Sequence, residues 1–198
     1  DWANSAYAAI VLAGFFPIIY AEYFASSIES SERTLYLGIS NSVASLLLII
    51  SAPLFGLLAD RFNKKKLFLT LFAFISIVST FFLSFISSNS FILASILFSI
   101  SLLGFMMSNV FYDSMLLDFE NDKFNKISSY GYAFGYLGGG IAFVIALIFL
   151  YYAGHSNVEL IASKKIVFIF TSIWWLLFML PLILFWKDDK KSDKLKLS

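Results

Sequence analysis

The chain has 198 residues, of which 60% are hydrophobic, 19% aromatic and only 14% charged, with a net charge of +1 and no cysteine. Soluble domains carry about 25% charged residues, and no water-soluble core of this length hides 24 Phe and 10 Tyr at a mean hydropathy of +0.84. The composition therefore excludes a soluble domain and makes a lipid bilayer the first partner. The near-neutral charge argues against nucleic acid, and the missing cysteines exclude disulfides, thiolate metal sites and Cys nucleophiles.

Six stretches are long enough to cross a hydrocarbon core of about 30 Å, which takes roughly 20 helical residues. In chain order they are Asp1–Ser26, Thr34–Phe62, Leu67–Ser87, Ser90–Leu117, Ile127–Tyr152 and Ile166–Trp186. A closed barrel would alternate polar and apolar residues, whereas "ASLLLIISAPLFGLLA" and "IVFIFTSIWWLLFMLPLILFW" are apolar all round, so the spans are helices. The first is too long, too polar at its start and too weakly basic for a cleaved signal peptide.

The first span contributes Asn4 and Tyr7, and the second Asn41 and Ser45, as hydrogen-bonding groups in an apolar surround. At the end of the second span Asp60, Arg61, Lys64, Lys65 and Lys66 crowd five charges into seven residues. Eleven of the fourteen Lys and Arg lie on this side of the membrane, and only Arg33, Lys164 and Lys165 on the other. That asymmetry places both termini and the Arg61–Lys66 loop in the cytoplasm. Asp60 is not explained by the positive charge, and with Gly56 four residues earlier it suggests a close helix approach sealed by a charge network.

In the fourth span Ser95, Ser99, Met106, Asn109 and Asp113 fall near one stripe at about 100° per residue. Asp113 lies about 7.5 Å deeper than Asp118 along a helix axis, where an ionised carboxylate needs water or a partner. The plain alternative is an interfacial carboxylate paired with Lys123, Lys126 or a neighbouring helix. The cavity reading has Asp113 hold a cationic group of a solute or carry a coupling proton, with Tyr112, Tyr132 and Tyr136 adding polar groups to the same space. Taken singly, these tyrosines and asparagines are more often packed or interfacial residues. In the fifth span Gly131, Gly135 and Gly139, with Gly138 and Gly140, make a groove in which another helix should lie.

His155 has no partners for a metal or proton relay. Trp174, Trp175 and Trp186 read as lipid-facing or interfacial anchors, and Pro17, Pro53 and Pro181 as kinks. Residues 1–186 form one six-helix bundle, and "KDDKKSDKLKLS" (187–198) reads as a cytoplasmic basic linker. No cofactor is implied.

Four stretches carry a resemblance. "GLLADRFNKKK" (56–66) resembles the signature loop between the second and third helices of the major facilitator superfamily, with Asn63 where that family usually has its second glycine; Asn is the next-best residue for a left-handed helix end. "DWANSAYA" (1–8), "VFYDSMLLDF" (110–119) and "SSYGYAFGYLGGG" (128–140) resemble the branch of the yeast vacuolar amino-acid effluxer involved in autophagy and its bacterial relatives. The resemblance implies an all-α membrane protein whose six transmembrane helices form two three-helix inverted repeats, the amino-terminal half of a twelve-helix transporter, with a few residues missing before Asp1. It implies alternating access, a carboxy-terminal six-helix half as partner, a small polar solute of the amino-acid class, and a plasma (inner) membrane setting. It also implies a cytoplasmic gate of Gly56, Asp60, Arg61 and Lys64, joined by Asp118. The superfamily's antiporter signature has a proline in the glycine run of the fifth helix; none is present, so exchange is not supported.

Two other readings stand beside it. One is an integral membrane enzyme using Asp113, Asp118, Glu120 and Asp122 as an acidic metal cluster; Asp113 and Asp118 lie about 140° apart on a helix, which opposes convergence. The other is a six-helix protein that dimerises into a twelve-helix unit.

Overall fold

A computed structural model describes residues 1–117, 121–155 and 160–186, and these are helical throughout apart from short turns and the chain's first residues. The helices are α1 (Tyr7–Phe24), α2 (Ser30–Phe62), α3 (Lys65–Leu83), α4 (Phe91–Leu116), α5 (Asn121–Gly154) and α6 (Leu160–Phe185). All six are long and apolar enough to cross a membrane. Each matches an expected span; α2, α5 and α6 begin several residues earlier, because polar residues outside the hydrocarbon layer continue a helix without cost. The linker expected at 187–198 lies outside the described residues.

Why the helices stop where they do is local chemistry. At the start of α2, the Glu29 carboxylate accepts a backbone N–H at the third helical position and the Glu32 carboxylate accepts the N–H of Glu29, closing a reciprocal cap. At its end Asn63 takes the left-handed conformation, φ 49° and ψ 51°, and the Lys64 N–H turns back to the Ala59 carbonyl at 2.9 Å. The second left-handed residue, Asn89 (φ 58°), ends the α3–α4 turn; its N–H donates to the Tyr23 carbonyl and its Oδ1 accepts from Ser26 Oγ and Ser27 N–H. α1 is wound wider than an α-helix over Tyr7–Phe15 and Tyr20–Phe24, with an ordinary turn at Phe16–Ile19 where Pro17 sits in the first turn.

The packing has a two-fold pattern. Exchanging α1 with α4, α2 with α5 and α3 with α6 converts the α2–α4 contact into α5–α1, α3–α4 into α6–α1 and α2–α3 into α5–α6, while α3–α6 maps onto itself; all of these contacts are present. Consecutive spans alternate direction, so helices three apart run oppositely and the two repeats are inverted. The α3–α4 pair is the tightest: a Cβ on Gly104 would lie 2.7 Å from the Phe72 carbonyl oxygen and 2.8 Å from the Ser76 nitrogen, so only glycine permits that approach.

Lysines lock the pair of α3 and α6 at both ends. Lys66, at the start of α3, donates to the Trp186 carbonyl beyond the end of α6 at 2.7 Å, and Lys165, near the start of α6, donates to the Ile86 carbonyl beyond the end of α3 at 2.7 Å. Lys65 donates to the Ser114 carbonyl in the last turn of α4 at 3.0 Å. These cations sit where carbonyls lack intrahelical partners and the helix dipole is negative. The basic cluster at the start of α3 thus caps helix ends.

Candidate functional site

The glycine groove of α5 is filled, and its occupant is the start of the chain. A Cβ on Gly139 would lie 2.9 Å from the Ser5 carbonyl oxygen, one on Gly138 2.7 Å from the Trp2 ring, and one on Gly135 2.9 Å from both Asp1 Cβ and Ser5 Oγ. Small residues let residues 1–5 lie against α5 at backbone distance. The segment is then held from the other side by α4: the Asn4 side-chain amide donates to Asn109 Oδ1, and the Tyr112 hydroxyl donates to Asp1 Oδ2 at 3.2 Å.

In front of this segment lies a cavity of about 710 Å³ between α1, α4 and α5. Phe105, Asn109 and Asp113 reach it from successive turns of α4, Asp1, Asn4 and Ser5 from the chain start, and Tyr132, Tyr136 and Phe143 from α5. The volume suits a small-molecule site. Asp113 is exposed to it and has no ion pair or hydrogen bond among the described residues. The alternative pairing with Lys126 is absent; the Lys123 side chain lies outside the described residues. Of the eight residues expected on a solute pathway, Asn4, Asn109, Asp113, Tyr132 and Tyr136 are brought together here.

Three are placed elsewhere. Tyr7 is fully buried between α1, α4 and α6, its ring 4.8 Å from Phe105 and 5.6 Å from Trp175 and its hydroxyl 3.1 Å from Ser101 Oγ. Ser101 Oγ also lies 2.7 Å from Thr80 Oγ1, and Ser76 Oγ donates to the Ser101 carbonyl, so Tyr7 belongs to a dry hydroxyl network joining α1, α3 and α4. Asn41 is exposed on α2 and spends its amide on the Leu37 carbonyl at 2.8 Å. Tyr112 lines a second cavity of about 260 Å³ behind residues 1–4. The stripe on α4 divides likewise: Ser95 pairs with the Tyr20 hydroxyl at 2.8 Å and Ser99 donates to the Ser40 carbonyl at 3.1 Å, tying α4 to α1 and α2, while Asn109 and Asp113 face the cavity.

Sequence reasoning missed Asp1, Ser5, Phe105 and Phe143. The first two carry no periodic signal, and Phe105 and Phe143 do not stand out among the many apolar residues of their spans, although Phe105 sits four residues before Asn109 on the same face. Trp175 corrects the expectation of an anchor: it is buried, with Tyr7 and Phe105 packed on it. Trp174 stacks on Trp2 at 6.2 Å. An indole on an inner helix face is covered by neighbouring helices before lipid reaches it.

At the other expected site, Asp60, Arg61 and Lys64 are exposed at the end of α2, Arg61 reaching over the Phe62 ring at 5.9 Å. Among the described residues nothing beyond the adjacent turns of α2 itself lies within 4 Å of a Cβ on Gly56, so the close helix approach inferred there is not made among them. Asp118 lies outside the described residues, as do Glu120 and the Asp122 side chain of the acidic-cluster reading. Among the described residues no group of acidic or histidine side chains is placed to hold a metal.

Residues 28–197 match the family model described as vacuole effluxer Atg22 like. A protein of Bacillus subtilis (strain 168), named as an uncharacterized MFS-type transporter YxiO, is 36% identical over 187 residues, covering 92% of this chain and 44% of its own length. An uncharacterized protein of Aquifex aeolicus (strain VF5) is 34% identical over 204 residues, covering 92% of this chain and 50% of its own. The chain spans about half the length of the curated relatives it matches. No solved structure matches it.

Proposed function

The chain belongs to the vacuole effluxer Atg22-like family, and on that premise we propose that it is the amino-terminal half of a secondary transporter that moves a small polar solute, of the amino-acid class, by alternating access. The observation that carries the proposal is the cavity of about 710 Å³ into which Asp113, Asn109 and Asn4 project from an otherwise apolar bundle. A carboxylate within a membrane-spanning helix is costly unless a solute or ion uses it.

In this reading the cavity is completed by a carboxy-terminal six-helix half, and the exposed apolar faces of α2 and α5 are shared between that half and lipid. Both termini are cytoplasmic, in a plasma membrane. Gly56, Asp60, Arg61 and Lys64, with Asp118, form a cytoplasmic gate: the open space beside Gly56 and the outward-facing charges are where a second half would dock. Asp113 holds either a cationic group of the solute or a coupling proton. Asp113→Asn keeps size and one carbonyl oxygen while removing the charge, so in the complete transporter it abolishes solute flux into proteoliposomes and leaves expression and insertion intact. Wild-type flux in that variant would return Asp113 to a polar residue satisfied by water.

A further inference from the structure

A third recess, of about 250 Å³, lies between α2 and α4 and takes no part in the site described above. Under the two-fold pattern its residues are counterparts of the central cavity's. Tyr36, Val43 and Leu47 of α2 stand, in constant register, where Tyr132, Gly139 and Phe143 stand on α5, and Ser95 and Ser99 of α4 stand where Asn4 and Ala8 stand at the start of the first span. The cavity takes the chain start and the last turns of α4, whereas the groove takes the first halves of α2 and α4, so the two lie toward opposite membrane surfaces.

Both open on one side of the bundle. A two-fold axis that exchanges α1 with α4 and α3 with α6 passes between the members of each pair, and α3 and α6, which line neither recess, sit at one end of it. The side away from them maps onto itself. A body that completes the cavity at one depth therefore faces the groove at the other, and bulk lipid does not.

The walls differ in chemistry. Where α5 has Gly135 and Gly139, α2 has Ile39 and Val43, and where the cavity has Asn4 the groove has Ser95. The serines of the groove are engaged: Ser40 donates to the Tyr36 carbonyl at 2.7 Å, Ser99 to the Ser40 carbonyl at 3.1 Å, and Ser95 shares a hydrogen bond with the Tyr20 hydroxyl at 2.8 Å. What remains is an apolar trough, with Val43 42% exposed in it, running roughly 16 Å along α2 from Tyr36 to Leu47, about half of a hydrocarbon core. Such a trough offers a polar solute little and an apolar helix a packing surface, and within lipid it is packing that joins helices. The curated relatives are about twice as long as this chain, so the remainder of a chain of that length supplies such a helix.

We propose that the α2–α4 groove is the seat of an apolar helix of the carboxy-terminal half, occupied while the central cavity is open on the side of the chain start, and that this contact seals the pathway on the opposite side. The proposal rests on the two-half reading of the transporter and names the surface by which this half holds its partner at that depth. Glycines and polar groups keep the cavity wall open; branched side chains at the equivalent positions make the groove wall a closing contact.

The test uses the complete transporter, freed of other cysteines, in proteoliposomes. A nitroxide on Val43→Cys is compared with one on Phe74→Cys, a position exposed on α3, for accessibility to oxygen dissolved in the bilayer. The label at 74 is accessible, and the label at 43 loses most of that accessibility. Equal accessibility of the two means that lipid fills the groove and overturns the proposal. Val43→Trp then overfills the seat. Overpacking one contact shifts a two-state balance by about fivefold or more, so reaction of Gly140→Cys with an impermeant thiol reagent, applied from the side of the chain start, slows by that factor, while Phe74→Trp leaves it unchanged. Unchanged reactivity in the Val43→Trp protein overturns the seal even where the label at 43 is shielded. Flux of radiolabelled amino acids, read separately, distinguishes the two readings: a shielded position 43 without flux keeps the seat and defeats the transport proposal, and flux with an oxygen-accessible position 43 does the reverse.

Discussion

Gly139 shows how one hydrogen atom builds the site. A side chain there would meet the Ser5 backbone at 2.9 Å, and backbone does not yield as a flexible side-chain tip does. Gly139→Val should push residues 1–5 off α5, at a cost of about 1–3 kcal/mol typical of overpacking, and break the Asn4–Asn109 bond that fixes the cavity wall. Gly140, inside α5 where a Cβ meets nothing within 4 Å, is the control: Gly140→Ala should not lower thermal stability, since Ala favours a helix interior over Gly. Equal melting of both variants would mean the groove does not hold the chain start. Asn63 gives a second residue-scale expectation. In its left-handed conformation a β-branched residue pays roughly 1–2 kcal/mol, so Asn63→Val lowers stability and Asn63→Gly does not.

At the scale of elements, the reciprocal caps of α3 and α6 explain why lysines recur at their starts. Each supplies a charged donor to carbonyls that no helical N–H reaches. Lys66→Met and Lys165→Met should each cost about 1 kcal/mol, within the range for charges at helix C-termini, and the double variant should be additive because the sites lie at opposite ends of the pair. Thermal unfolding in detergent checks this; no change in either variant would reduce the lysines to topology signals. The helices themselves were legible in the sequence because a bilayer leaves so few choices: a run of some 20 apolar residues must satisfy its own backbone. Asn63 as a helix end and the glycine groove were legible for the same reason, since each is a local backbone demand. What filled the groove was not, because a short polar segment such as "DWANS" has no periodicity to advertise its packing. Tyr7 was misplaced for a related reason. Sequence places a hydroxyl on a helix face, but whether that face meets water or Ser101 is decided by a helix a hundred residues away.

The described residues form a bundle with an internal two-fold pattern and a polar recess. α1 and α4, equivalent under that pattern, both reach the recess, and α5 closes one flank of it. On the proposed orientation, single cysteines at Ser88 and Ser192 of this cysteine-free chain should label from outside and inside the cell respectively; external labelling of Ser192 would contradict cytoplasmic termini. The 198-residue chain reconstituted alone should bind solute without moving it, because a pathway between halves needs both. Alternating access is the central claim, and Gly140→Cys tests it most directly, since that position lines the cavity in open space. In the complete transporter, freed of any other cysteine and reconstituted with one orientation, a membrane-impermeant thiol reagent should reach Cys at 140 from either side, with solute shifting reactivity from one side to the other. Reactivity confined to a single side, unmoved by solute, would contradict the account.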